Sequence, residues 1–404
     1  MFFIAVFGNA QSGGEQVIEY LAEQGMPTTG NNKLKLLKSG KEKFDDLFRE
    51  IAGAKHHVHL EYFNFRNDSI AGLLFDLLAI KAKQGVKVRA VFDDFGNCSN
   101  NKPLKNKDLK QLRKRGIEIE IFDPIHFPFL NHIAHRDHRK IVIIDGKIGY
   151  TGGINIADYY ITGLPQVGEW RDMHLRIEGE AVNYLQKIFL ETWRLVTKQE
   201  IAGDGYFNGA KDTVGELSDT ARKISIAIVD RIPRKLPKQL RHAYLKSISV
   251  SKTKIQIVNP YFLPPSSIRK ELRKAIERGV TVEIMISAKS DIAFTPDGTF
   301  HVAHQLMKKG ADVYVYNTGF HHSKTMTVDD TFSTVGSANL DSRSLCQDYE
   351  VNAFIFDKEI TDELNRIFEN DKANSTKMTP EEWTKRSKWR RFVGWVANTI
   401  YTLL

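Results

Sequence analysis

The order of segments in the first half of the chain returns in the second. His57-Val58-His59-Leu60-Glu61-Tyr62-Phe63 alternates as a strand does, a helical stretch runs from Ser69 to Gln84, and Gly85 opens a second strand-like run, Val86 to Phe92. The same order recurs as Lys254 to Phe262, a helix from Ser266 to Arg278, Gly279, and Val280 to Ile286. Strand, helix, glycine, strand is a parallel crossover unit. Its repetition constrains the architecture ahead of local propensity, because a fold that suits one copy must suit the other. The match continues: Leu109 to Gly116 leads into Ile117 to Phe122 as Ala303 to Gly310 leads into Ala311 to Tyr316. Each half then closes with a strand and a helix, Arg171 to Ile177 with Ala181 to Val196, and Tyr349 to Phe356 with Lys358 to Phe368. Two α/β domains of one topology are predicted, over residues 33–200 and 218–372. A Gly-containing polar stretch at 201–217 is the expected linker, residues 1–32 are an N-terminal segment, and 373–404 are a C-terminal tail.

Composition narrows the class of partner. With 58 Lys and Arg against 49 Asp and Glu the formal net charge is +9, which favours an anionic partner: nucleic acid, phosphorylated small molecules or an acidic membrane surface. The two cysteines, Cys98 and Cys346, lie far apart with no ligand spacing, which argues against a disulfide framework or a structural zinc site and for a reducing setting. No run approaches the roughly 18 to 20 apolar residues of a membrane-spanning helix. The opening Met1 to Phe7 is short for a signal peptide and lacks a basic flank.

Chemistry concentrates at equivalent places in the two copies. His138-Arg139-Lys140 is followed by Asp145, Gly152-Gly153 and Asn155, and His322-Ser323-Lys324 by Asp329, Gly336-Ser337 and Asn339. The pattern H-x-K-x4-D-x6-G-[GS]-x-N therefore occurs twice in register, which a chance strand end does not explain. Residues two apart on a strand share a face, so each histidine is expected beside its lysine. Asp145 and Asp329 stand at an odd offset and are expected to face away, holding a turn through backbone amides. An imidazole that attacks or carries protons needs a partner to fix its tautomer. Asp172 and Glu350, at matching places in the closing strands, are the candidates, with an ordinary surface acid as the alternative for either.

In these residues the chain resembles the phospholipase D superfamily, whose His-Lys-Asp signature both copies match in full. The likeness runs from about Lys33 to Asp371. Within that superfamily the segments Leu60 to Phe63, Asn259 to Phe262, Trp170 to His174, Asn339 to Ser344 and Glu350 to Phe354 are most similar to those of bacterial cardiolipin synthases. The resemblance implies two pseudo-symmetric α-β-α sandwich domains with both motifs at one interface pocket. It counts His138, Lys140, Asp145, His322, Lys324 and Asp329 as the catalytic set. It implies that one histidine, His138 by the usual motif order, forms a covalent phosphohistidine while His322 serves as acid and base, the reverse order being the alternative. Lys140, Lys324, Asn155, Asn339 and the Ser337 hydroxyl would hold the phosphodiester oxygens. No metal-ligand motif such as an EF-hand loop or HExxH is present, and no cofactor is expected.

The implied reaction transfers a phosphatidyl group between two phosphatidylglycerol molecules, giving cardiolipin and glycerol at the cytoplasmic face of the cell membrane. Nucleic acid is not an expected partner. Relatives of this type usually carry hydrophobic segments ahead of the first domain, so the chain is expected either to lie peripherally or to be anchored by segments outside it. The tail offers membrane contacts: Lys385, Arg386, Lys388, Arg390 and Arg391 are interleaved with Trp389, Phe392, Trp395, Val396, Ile400 and Leu403, a mix suited to an anionic interface. A helix docked on its own domain would use the same pattern. His126-Phe127-Pro128-Phe129-Leu130 is an expected apolar lip or a buried loop. Competing readings are a phosphatidylserine synthase, a hydrolytic phospholipase D, a nuclease of the same superfamily, or an inactive lipid-binding scaffold.

Overall fold

The computed structural model describes residues 11–125, 134–207, 223–292 and 295–403. The expected lip at 126–130 and residues 208–217 of the expected linker lie outside them. The strands of the first half are β1 (Thr29–Leu37), β2 (His57–Tyr62), β3 (Lys87–Asp93), β4 (Ile117–Phe122), β5 (Lys140–Ile144), β6 (Ile148–Gly152), β7 (Glu169–Arg171) and β8 (His174–Gly179). Those of the second are β9 (Ile224–Arg231), β10 (Lys254–Val258), β11 (Thr281–Ser287), β12 (Asp312–Tyr316), β13 (Gly319–His321), β14 (Thr325–Val328), β15 (Phe332–Gly336), β16 (Glu350–Phe356) and β17 (Ser375–Lys377).

One sheet takes in all of these except β7 and β13. Outward from its centre, β1-β8-β6-β5-β2-β3-β4 is mirrored in order by β9-β16-β15-β14-β10-β11-β12, with β17 added at the far edge. The two predicted α/β units are therefore one continuous sheet, joined where β1 and β9 pair antiparallel at Thr29↔Ile226 and Asn32↔Ile224. Buried Asn32 secures this seam: its Nδ2 donates to the Ile224 carbonyl at 3.0 Å, and its Oδ1 accepts from the Ala181 amide at 2.8 Å.

Helices cover both faces, as a sheet apolar on both sides requires. Alternation along β5 shows how. Ile141 and Ile143 pack with Leu185 and Phe189 of the helix Ala181–Thr197, whereas Val142 and Ile144 pack with Leu47, Leu74 and Leu78 of the helices Gly40–Gly53 and Ser69–Lys83. The N-terminal segment joins the second half: the helix Gly13–Glu23, capped by Ser12 and Glu15, buries Val17 and Leu21 in the core with Ala243, Tyr244 and Phe332. The described part of the expected linker lies on the first half, with the Tyr206 ring stacked 5.6 Å from that of His59.

Candidate active site

Both histidines sit just ahead of a strand rather than on it, and Lys140 opens β5. His138 precedes β5, and His322 and Lys324 lie between β13 and β14. The backbone carries each across to the opposite half. The His138 amide donates to the Tyr349 carbonyl at 3.0 Å, beside Glu350 at the start of β16, and the His322 amide donates to the Arg171 carbonyl at 2.6 Å, beside Asp172. On the second side the crossing is a parallel pair of short strands, β13 with β7. Each imidazole is thereby delivered to the other half's carboxylate. His138 Nδ1 lies 3.0 Å from Glu350 Oε1, and His322 Nδ1 lies 2.6 Å from Asp172 Oδ2. With Nδ1 held by a carboxylate, Nε2 of each ring is turned away from that carboxylate, and on His322 it lies 2.9 Å from Lys324 Nζ.

The two partners differ in their surroundings. Asp172 also accepts from the Met173 amide at 2.7 Å, yet burial raises its carboxyl to about 6 against the pull of Lys324. Burial acts on Glu350 in the same direction, but the His138 ring, Lys140 and the Ser337 hydroxyl outweigh it and hold the carboxyl down to about 2. Ser337 Oγ donates to Glu350 Oε2 at 2.5 Å and is fully buried. Ser337 was expected to hold substrate; instead its hydroxyl is spent on the carboxylate behind the histidine. Its counterpart Gly153 has no room for a side chain, since a Cβ there would stand 2.2 Å from Asp172 Oδ1.

Lys140 donates to the carbonyl of His138, and Lys324 donates to that of His322 at 2.5 Å while lying 2.9 Å from the His322 ring nitrogens. Burial lowers the Lys140 ammonium to about 7, helped by Lys324, and lowers Lys324 to about 8 against Asp172 and Glu350. Both rings are also pushed down, His138 by burial and then Lys140, His322 well down by burial and then Lys324. Lys140 and Lys324 both act to lower the two histidines, and the negative charge of a bound phosphodiester favours the protonated form of all four groups.

Asp145 and Asp329 are elsewhere, and their place in the catalytic set needs correction. Each stands past the far end of its strand, five residues or roughly 17 Å of extended chain from its lysine. Asp145 accepts from the amides of Lys55, His56 and His57 at 2.8 to 2.9 Å, and Asp329 from those of Lys252, Thr253 and Lys254 at 2.7 to 3.0 Å. Both take positive φ, 53° and 52°, a conformation that aspartate tolerates better than most residues. They fasten the entry of β2 and β10.

A cavity of about 520 Å³ opens onto both histidines. Asn155 and Asn339 line it, each with a buried carboxamide Oδ1 that has no hydrogen-bond partner, and the Asn155 NH2 donates to the Tyr160 hydroxyl at 3.2 Å. Sequence reasoning missed its aromatic wall. Phe63 meets the His138 ring at 4.9 Å, and Trp170 and Tyr261 meet that of His322 at 5.3 and 6.0 Å. The signal was present in the segments Leu60 to Phe63, Trp170 to His174 and Asn259 to Phe262, whose aromatic residues stand where strands end at the motif. Among the described residues no cluster of three or more His, Cys, Asp or Glu side chains is placed to hold a metal.

A duplicated sheet that brings two histidine–lysine pairs to one cavity, each histidine backed by a carboxylate, is the two-motif phospholipase D architecture. A family model described as "Cardiolipin synthase, PLD-like domain" matches residues 47–193 and 244–372. The cardiolipin synthase of Staphylococcus aureus (strain N315) is 38% identical over 379 residues, 93% of this chain and 74% of that protein. That of Oceanobacillus iheyensis is 36% identical over 376 residues, 93% and 76% of the two chains. Among solved structures, a phosphatidylserine synthase of Haemophilus influenzae Rd KW20 superposes over 95% of this chain and 99% of its own with a TM-score of 0.70 at 15% identity, a likeness of fold. The chain belongs to the cardiolipin synthase family with phospholipase D-like domains.

Proposed function

We propose that this protein is a phosphatidyltransferase that joins two phosphatidylglycerol molecules into cardiolipin, releasing glycerol, with His138 and His322 as its reacting groups. The observation that carries the reading is the crossed pair of histidine–carboxylate contacts around a single cavity. His138 Nε2 attacks the phosphorus of the first phosphatidylglycerol, and a P–N bond forms as the P–O bond to glycerol breaks. His322 gives its Nε2 proton to the departing glycerol oxygen. Neutral His322 then takes the proton from a glycerol hydroxyl of the second phosphatidylglycerol, whose oxygen attacks phosphorus and expels His138. Lys140 and Lys324, with the carboxamides of Asn155 and Asn339, hold the non-bridging oxygens. Glu350 and Asp172 stabilise the positive charge that each ring carries in turn, and Ser337 positions Glu350.

The reverse order is the alternative, because each ring is backed by a carboxylate of the other half and burial pushes both toward the neutral form that a nucleophile needs. Quenching a reaction with phosphorus-labelled donor and mapping the labelled peptide decides between them. Label on the His138 peptide supports His138 as the nucleophile, and label on the His322 peptide reverses the two roles.

Supported by the same reading, the working partner is an anionic membrane surface containing phosphatidylglycerol, reached from its cytoplasmic face. The chain divides functionally into residues 33–200 and 218–372, each bringing one motif. Purified protein incubated with phosphatidylglycerol vesicles tests the function: cardiolipin and glycerol in equal amounts are expected. Phosphatidic acid without cardiolipin, or cleavage of DNA instead, would sink it.

A further inference from the structure

Three large aromatic side chains stand in a row on the outside of the C-terminal helix, Lys388–Leu403. Trp389, Phe392 and Trp395 are 69%, 51% and 53% exposed, and successive rings lie 5.8 and 6.0 Å apart. Their spacing of three residues keeps them on one face. Such a contiguous aromatic strip is uncommon on a surface bathed only by water.

The helix is firmly held on its other side. Gly394, about 200° around the helix from Phe392, lies so close to the Asp297 carbonyl that a Cβ would stand 2.3 Å from it, and Ala397 meets Gly298. Arg269 donates to Asn398 at 2.8 Å. Just upstream, Arg386 pairs with Asp297 and lies 3.9 Å over the Phe300 ring, and Trp383 stacks on His304 at 3.9 Å. The two sequence alternatives for the tail are thus not exclusive: it docks on its own domain and turns an aromatic face outward.

Position gives that face a purpose. The helix packs along Thr295–Met307 and touches Ser342–Cys346, and both elements supply the cavity wall, through Thr295, Arg343 and Ser344. Ile292, also on the cavity wall, is itself 49% exposed. Lys388, on the same side of the helix as the strip, and Lys385, just ahead of the helix, stand exposed.

We propose that the outer face of the helix Lys388–Leu403 lies in the plane of an anionic membrane, its aromatic strip in the interfacial layer and its basic residues on lipid phosphates, seating the rim of the active-site cavity on the bilayer. This docking rests on the lipid-substrate reading above and adds the surface that performs it. Aromatic side chains and lysines arranged in this way favour the headgroup region, the aromatic rings by burial and the cations by attraction to anionic lipid. A second copy of this chain is the poorer occupant, because a net charge of +9 and the basic rim would face their like.

The test uses the full chain and the triple variant Trp389→Ser, Phe392→Ser, Trp395→Ser. Co-sedimentation with vesicles of phosphatidylglycerol and phosphatidylethanolamine is expected to weaken by about tenfold or more in the variant. Turnover of a short-chain phosphatidylglycerol dissolved as monomers should stay within about twofold, since no cavity residue is changed. Brominated lipid should quench wild-type tryptophan fluorescence, and the quenchable part should vanish in Trp389→Ser, Trp395→Ser. Unchanged vesicle binding, or a self-association of the wild type that the triple variant abolishes without loss of vesicle binding, overturns the proposal. Vesicle binding is read without product formation, so wild-type protein that binds through these residues yet makes no cardiolipin would refute the proposed reaction and leave the docking surface standing.

Discussion

Burial does most of the electrostatic tuning at the paired lysines, and it sets a pH dependence with a definite sign. In the free enzyme Lys140 and Lys324 lose their protons near 7 and 8, well below an ordinary lysine. Their charged forms, which the phosphodiester needs, therefore disappear as pH rises through that window. A bound phosphate anion opposes the loss and moves both values up. We expect kcat/KM, which reports the free enzyme, to fall from about pH 7 to 8 upward, and the alkaline limb of kcat to lie at higher pH; coincident limbs in a micellar pH series would contradict this. Ser337→Ala removes the hydroxyl that donates to Glu350 while leaving the motif intact. Loss of one donor to a buried carboxylate is worth about 1–3 kcal/mol, so turnover should drop on the order of tenfold or more with KM little changed. The histidines, lysines and asparagines were legible because H-x-K and G-[GS]-x-N recur at fixed spacing. Ser337 was misread because sequence gives a hydroxyl's position but not the direction in which it is spent.

Entire elements depend on turns that the motif brings with it. Asp145 and Asp329 each gather three successive amides at the start of β2 and β10, so the shared geometry of the repeat reaches across the sheet to the end opposite the active site. Asp329→Asn keeps a side chain that accepts positive φ and removes the charge. We expect it to destabilise the fold by about 1–3 kcal/mol and to lower the melting temperature by a few degrees, with kcat per folded molecule within about twofold. A loss of turnover as large as that of His322→Ala would return Asp329 to the catalytic set. This role was readable from parity: five residues from lysine to aspartate is an odd step on a strand. Alternation and glycine placement likewise located the crossover helices to within a residue or two, the structure ending them at Lys83 and Glu277. The N-terminal helix was harder to place. Nothing local in Gly13–Glu23 says that Val17 and Leu21 will be buried against the second half rather than the first.

At the scale of the molecule, the duplication exchanges parts between its copies. The sequence showed two motifs and two carboxylates at equivalent positions, and equivalence alone is satisfied equally well by partners within a half or across halves. What selects the crossed arrangement is long-range backbone docking, His138 to Tyr349 and His322 to Arg171, which no spacing in the chain encodes. Neither half can then orient its own histidine, and the continuous sheet through β1 and β9 is the frame that keeps the exchange in register. A double-mutant cycle on kcat reads this out. His322→Ala, His138→Ala and Asp172→Asn should each cost on the order of 10²–10⁴-fold, the size expected for acid–base and orienting groups. Asp172→Asn should add little to His322→Ala, because the imidazole it orients is already gone, and Glu350→Gln should likewise add little to His138→Ala. If the strong coupling were instead found within halves, Asp172 with His138 and Glu350 with His322, the crossed site would be wrong even though every individual residue mattered.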